Sequence, residues 1–445
     1  MYYLVFFAKA QAFLVYYRYM IDVYRRFRLK RYVKKYLATH PDIRVVGVAG
    51  SVGKTNAKVA IATVLSERYR VRMHQGDYHS SYDDLLALIG VDYPKEDMSP
   101  RQAWNLIAKA ARERIASVSD VDVIVYEINS SHAGSVRRYA RIISPDVTVV
   151  TCVTPNNLEA FYDYEEAARE QIFAANISKR ALINRDDVDS RYAKYLTNPQ
   201  INTYGTSGLS EYRFIEEDYS IEHGYSGTVV VPDREATVAI TLSCHDDFTL
   251  RLSIAAVAVA SQLGLSPDEI SRGAGKINPE RGHMNLLRGV NQSYVLDGTV
   301  NNNPLMIAEG IRALYRVNAP QKIILIGDIH HLGVQSEVEH QSLAMLCDAS
   351  QVSWVLTVGP VSQSQIAPIA RKRGCQTKSF DDALTAGAFL HSILQPGGVV
   401  FVSGSREAYL EEAVKIVLHS PDDIARLARQ GEEWNDLKAA FFSRF

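Results

Sequence analysis

The sequence predicts an α/β protein: a central P-loop-type parallel-sheet domain, a C-terminal Rossmann-like α/β domain, and a hydrophobic and basic helix ahead of both. Three observations predict it. Short apolar runs alternate with helical patterns from Ile43 to about Asn278, as in a parallel sheet covered by helices. A second alternation of the same kind begins near Arg281. Between an apolar run, Ile43–Ala49, and a helical pattern, Asn56–Arg68, lies Gly50-Ser51-Val52-Gly53-Lys54-Thr55.

The leading segment comes first in the chain. Met1–Tyr17 is rich in Phe, Tyr, Leu and Val, interrupted by Lys9 and Gln11. From Met1 to Lys35 there are nine Lys or Arg and one acid, Asp22, with the basic cluster after the apolar run. A signal peptide carries its charge before that run and a small-residue cleavage site after it. The run is also slightly short and polar for a spanning helix. Tyrosines beside a basic flank suit a membrane interface, with the basic side toward cytoplasm and anionic lipid. The expectation is attachment to the inner face of the cell membrane, with residues 1–40 separable from the body. The alternative is an amphipathic helix packed on the body or on a partner.

Ile43–Ala49 reads as a buried parallel strand feeding a Gly-rich turn and a helix N-terminus. Backbone N–H groups and the helix dipole there face an anion, Lys54 reaches outer phosphates, and the Thr55 hydroxyl suits Mg²⁺. Gly50, Ser51, Val52, Gly53, Lys54, Thr55 and Asn56 are the expected nucleotide contacts. The strict pattern has a further Gly where Val48 stands, so this is a variant loop, and a chance match is the bland alternative.

Val121–Tyr126 reads as a strand ending at Glu127, and Val147–Val153 and Ala181–Asn184 as two more. Tyr212–Leu242 reads as antiparallel strands with Gly224 and Gly227 at turns, and Leu250–Leu263 as an Ala-rich buried helix. In the second block, Tyr294–Leu296, Lys322–Ile326, Ser353–Val358 and Gly398–Val402 are strands, Pro304–Tyr315 is a helix, and Pro421–Phe445 is a charged helical tail. The expected domains are 1–42, 43–281 and 282–445.

The 445 residues exceed one ordinary core, and 47% hydrophobic with 22% charged residues is a globular composition. A net charge of −1 argues against a general nucleic-acid binder. Cys152, Cys244, Cys347 and Cys375 have no metal or redox spacing and read as reduced core thiols of a cytosolic fold.

Further motifs are Glu127-Ile-Asn-Ser-Ser-His132-Ala-Gly134, Ile-Ser-Pro145-Asp146, Leu158-Glu159, Ile183-Asn184-Arg185-Asp186-Asp187, Pro279-Glu-Arg281, Asn301-Asn302-Asn303-Pro304, Gly327-Asp328 with Leu332-Gly333 and His340, and Gly404-Ser405-Arg406. In this order the chain resembles the Mur ligases, ATP-dependent enzymes that extend the peptidoglycan stem peptide. It looks most like the branch that adds D-alanyl-D-alanine. The resemblance covers roughly residues 43–420.

The resemblance implies ATP and Mg²⁺ as cofactors. A carboxylate is phosphorylated, and the amine of an amino acid or short peptide attacks the acyl phosphate. Lys54 would neutralise the transferring phosphoryl group, and Thr55 with Glu127 would hold the metal. His132 matches a family histidine near metal and substrate, and Arg281 an arginine contacting the nucleotide. Asn301 and Asp328 are carried over on the cofactor side, Asn303 and Arg406 on the substrate side. Each has a plainer alternative: a surface carboxylate for Glu127, a surface histidine for His132, an interface ion pair for Arg281, a helix cap for Asp328, and an ordinary turn for Asn301–Asn303.

The chain also departs from the family. Set against the family, the usual uridine-nucleotide domain is expected to be missing, with the hydrophobic and basic segment in its place. Arg169 stands where the family has a lysine carbamate that ligates a second Mg²⁺, and a guanidinium cannot form one. Asn157 replaces a nearby histidine. Gly298 follows Asp297 where an acid is common, and the adenine-binding helix start is not clear near Cys244-His245-Asp246-Asp247. One firm Mg²⁺ site and a weak or absent second are expected. The expected function is amide ligation to a carboxylate acceptor in cell-wall or related polymer synthesis, with no nucleic-acid partner. The alternative is a catalytically degenerate ATP-binding scaffold at the membrane.

Overall fold

A computed structural model of the chain describes residues 2–73, 83–94, 98–130, 132–154, 161–232, 236–300 and 303–444, with 2–19 and 83 described by backbone only. The chain divides into two compact units, residues 1–211 with 255–273 and residues 212–254 with 274–445.

The first unit runs α1 (Tyr2–Thr39), β1 (Arg44–Ala49), α2 (Lys54–Leu65), β2 (Val71–Met73), α3 (Asp83–Ile89), α4 (Pro100–Ala116), β3 (Val123–Glu127), α5 (Ser135–Ala140), β4 (Val147–Val150), α6 (Tyr164–Asn176), β5 (Arg180–Asn184) and β6 (Ile201–Gly205). Its strands are parallel in the order β2-β3-β1-β4-β5-β6. Every residue of β1 after Arg44 is buried, as expected of a central parallel strand covered on both faces. From β1 the sheet grows in both directions, toward β3 on one side and β4 on the other. The carboxyl edge at β1 is therefore a topological switch point, where ligands of such sheets bind.

The C-terminal part of α1 belongs to this unit's core. Leu29, Val33 and Tyr36, spaced four and three residues apart, form one buried stripe. They join Leu85 and Leu88 of α3 and Ile107 and Ala111 of α4 in one cluster. Arg26 pairs with Asp84 at 3.0 Å, and Arg25 donates to the Pro100 carbonyl at 2.8 Å. The expectation that residues 1–40 are separable from the body is thus corrected, because removing them takes three core side chains with them. Farther toward the N-terminus, Met20, Val23, Tyr24 and Phe27 are exposed. Among the described residues, no helix is long and apolar enough to cross a membrane.

In the second unit, β7 (Tyr212–Ser220), β8 (Gly224–Val231) and β9 (Ala236–Leu242) form an antiparallel meander. Gly227 lies inside β8 rather than at a turn, where the Phe214 ring and the Ile215 carbonyl leave no room for a Cβ. The chain then passes through α7 (Asp247–Gln262) and α8 (Pro267–Ala274), whose residues 255–273 belong to the first unit, and the second unit resumes with β10 (Asn285–Arg288), β11 (Tyr294–Gly298), α9 (Pro304–Arg316), β12 (Lys322–Gly327), α10 (Ser336–Ala344), β13 (Trp354–Val358), α11 (Pro360–Gln365), α12 (Ala367–Lys372), β14 (Gln376–Phe380), α13 (Ala383–Ile393), β15 (Val399–Ser403), α14 (Glu411–Val417) and α15 (Glu432–Phe442). The second sheet has the order β10-β11-β15-β12-β13-β14, with β10 antiparallel and the rest parallel. Ile307, Ile311 and Leu343 cover one face, and Leu390, Val414 and Val417 the other.

Candidate nucleotide site

The loop after β1 is built for close approach. Gly50 has φ +130°, and a Cβ there would collide with the Thr151 hydroxyl. Gly53, at φ 76°, is the left-handed N-cap of α2 and turns the chain into the helix. The segment after β4 fixes the loop from the side. Ser51 N donates to the Cys152 carbonyl at 3.0 Å, and the Thr151 hydroxyl donates to the Val52 carbonyl at 2.6 Å. From α6, Gln171 accepts the Ser51 hydroxyl at 2.7 Å. Burial raises the Cys152 thiol to about 11, so it remains a neutral packing group.

Lys54 opens α2, and its Nζ folds back onto the Gly50 carbonyl at 2.8 Å. Burial lowers its pKa, and the nearby Glu127 charge opposes that shift. Glu127 ends β3 in register with Val48 of β1. Its Oε1 accepts the Thr55 hydroxyl at 3.0 Å and the Lys58 ammonium at 2.8 Å. A hydroxyl that donates its proton to a carboxylate keeps its lone pairs for another partner. Two hard oxygens meeting beside a phosphate loop fit Mg²⁺, which takes one or two protein oxygens and completes its shell with water and phosphate.

The structure thus brings Lys54, Thr55 and Glu127 together, with Gly50, Ser51, Val52, Gly53 and Asn56 in the same loop and first helical turn. Sequence reasoning missed Lys58. The available signal was a lone charge in the otherwise uncharged Ala57–Leu65 stretch.

His132 is exposed in the turn before α5. That turn is set by Glu170, which is buried and accepts Gly134 N at 2.9 Å and Val136 N at 2.6 Å. Glu170 and Gln171 therefore point inward from α6, and neither was singled out from sequence. Arg169 lies on the exposed face of the same helix, its guanidinium 4.9 Å from the Tyr195 ring centroid. Asn157 lies outside the described residues. Among the described residues, no group of three or more His, Cys, Asp or Glu is arranged to hold a metal.

In the second unit, Asp328 and Arg406 follow adjacent strands, and Ser405 N donates to the Asp328 carbonyl at 3.0 Å. The Asp328 carboxylate accepts Val361 N at 3.2 Å and Ser362 N at 2.6 Å. It caps α11, the role the sequence left open for it. Asn303 likewise caps α9 through Leu305 N at 2.9 Å. Arg406 is exposed and bonded to Glu407 at 3.1 Å. Arg281 is exposed, its carbonyl 3.3 Å from His283 Nδ1. Asn301 lies outside the described residues. Near the expected adenine segment, His245 and Asp246 are buried, and burial lowers His245 to about 4.

Sheet topology and loop together define a P-loop-type α/β protein. Residues 48–260 match the model of the Mur ligase middle domain. The UDP-N-acetylmuramoyl-tripeptide–D-alanyl-D-alanine ligase of Treponema pallidum is 24% identical over 384 residues, spanning 85% of this chain and 75% of its own length. That of Bacillus subtilis is 21% identical over 398 residues, spanning 88% and 79%. The crystal structure of MurF ligase from Thermotoga maritima in complex with ADP shares the fold, with a TM-score of 0.68 at 19% identity over 88% of this chain and 83% of that one. The central part of the chain is a Mur ligase middle domain, and the chain is a homologue of these ligases over most of its length.

Proposed function

We propose that this chain is an ATP-dependent, ADP-forming amide ligase of the Mur type. A carboxylate oxygen attacks the γ-phosphorus of ATP and releases ADP. The amine of an amino acid or short peptide then attacks the acyl carbon, an amide forms, and inorganic phosphate leaves. The observation that carries this reading is the meeting of Lys54, Thr55 and Glu127 at the carboxyl edge of β1 and β3, inside the Mur ligase middle domain. Lys54 offsets charge on the transferring phosphoryl group. Thr55 and Glu127 would hold Mg²⁺, which when bound neutralises phosphate oxygens. His132 would act near the reacting groups from the turn that Glu170 holds. Arg281 and Asn301 would serve the nucleotide, and Asn303 and Arg406 the substrate, with the domain limits 43–281 and 282–445. Asp328 would act through α11, since its carboxylate is committed there.

The acceptor belongs to cell-wall or related polymer synthesis. We further propose that it is met at the inner face of the cell membrane. Support comes from one stripe of α1: Met20, Val23, Tyr24 and Phe27 are exposed and apolar, and Arg31 and Lys34 continue the stripe as exposed cations.

The test is ADP release with hydroxylamine as the amine, across candidate carboxylate acceptors. An acceptor-dependent hydroxamate is the expected product. ATP turnover at the same rate with and without every acceptor, and no hydroxamate, would refute the ligase reading. One observation favours the scaffold alternative: Arg169 presents a cation where a carbamate would be needed. That reading predicts ATP binding without turnover.

A further inference from the structure

Glu127 already has a cation of its own. The Lys58 ammonium lies 2.8 Å from Oε1, the oxygen that also receives the Thr55 hydroxyl. The Lys58 side chain is 2% exposed and that of Glu127 12%. Lys58 stands one helical turn after Lys54, so α2 presents two ammonium groups along one face. They part company at their tips: Lys54 turns to the Gly50 carbonyl and Lys58 to the end of β3. Burying an ammonium is costly unless it is paired. α2 does not need the pair for docking, since Ala57, Ala60, Ile61 and Val64 already bury its apolar face. Among the described residues, Glu127 Oε2 receives no hydrogen bond.

We infer that Lys58 is the resident counter-ion of the metal carboxylate: it pairs with Glu127 Oε1, balances its charge when Mg²⁺ is away, and leaves Oε2 to the metal. This rests on the proposed Thr55–Glu127 site. Two cations on one carboxylate repel, so Lys58 also tempers the affinity of the site for Mg²⁺.

The test is calorimetric titration of Mg²⁺ into the full-length protein saturated with a non-hydrolysable ATP analogue, with the melting temperature read with and without Mg²⁺. Lys58→Met should melt lower without metal, bind Mg²⁺ about tenfold more tightly, and show a larger Mg²⁺-induced rise in melting temperature. Lys58→Arg keeps the charge and should behave as the parent. Lys58→Met combined with Glu127→Gln removes both charges, and should recover the metal-free melting temperature and lose the Mg²⁺ response. Unchanged or weaker Mg²⁺ binding in folded Lys58→Met overturns the inference. If Lys58→Met does not fold, the double variant decides: recovery supports the charge-balancing role, and an equally unfolded double variant overturns it. Glu127→Gln alone that binds Mg²⁺ as the parent does would instead refute the metal site itself.

Discussion

Lys54 has a single chemical task in this account, and the loop is shaped around it. Its ammonium rests on the Gly50 carbonyl at 2.8 Å, a partner it would exchange for phosphate oxygens. Lys54→Ala should therefore weaken ATP binding at least about a hundredfold, ~2.7 kcal/mol, with little effect on folding. Isothermal calorimetry on a variant with a parental melting curve checks this, and unchanged affinity rejects the assignment. Gly50→Ala should fail differently, since its Cβ meets Thr151. That variant should lose both stability and nucleotide binding. A pH effect belongs at this scale too. Burial lowers His245 from 6.5 to about 4, so the folded form binds fewer protons than the unfolded chain. Its contribution is complete above about pH 6.5 and falls as pH drops toward 4. The parent should lose up to about 3 kcal/mol over that window relative to His245→Gln, as read from urea midpoints.

At the scale of elements, α1 does two jobs along its length. Leu29, Val33 and Tyr36 are core, while Met20, Val23, Tyr24 and Phe27 are exposed. Deleting residues 1–24 should release the protein from anionic vesicles in flotation and leave ATP affinity unchanged. Deleting 1–40 should lower stability by several kcal/mol, at about 1.5–3 kcal/mol per buried large side chain, and weaken ATP binding with it. Full-length protein that does not float with anionic vesicles would refute the surface proposal. The stripe at Leu29, Val33 and Tyr36 was present in the sequence but hidden among basic residues, which drew the reading toward lipid. The loop at Gly50–Thr55 was legible because strand, glycines and helix are contiguous. Lys58 was not, because the partner that explains it is Glu127, 69 residues away. The Asp328 cap depends in the same way on α11, more than thirty residues on. β14, Gln-Thr-Lys-Ser-Phe, carries no apolar run and is a strand only because β13 pairs with it.

For the whole molecule, the central claim is that the nucleotide loop drives amide formation rather than serving as a binding handle alone. Homology to the ligases, and Lys54, Thr55 and Glu127 gathered at one sheet edge, argue for turnover. Arg169 on the exposed face of α6 argues that any second metal is not held as the family holds it. The most direct measurement is ADP release from Mg²⁺-ATP, recorded with carboxylate acceptors and amines together and separately, for the parent and for Lys54→Ala. The account predicts sustained release only when acceptor and amine are both present, at most one equivalent per enzyme with acceptor alone, and none in the variant. Release that continues in Lys54→Ala at the parental rate, or that proceeds equally without an acceptor, would contradict it.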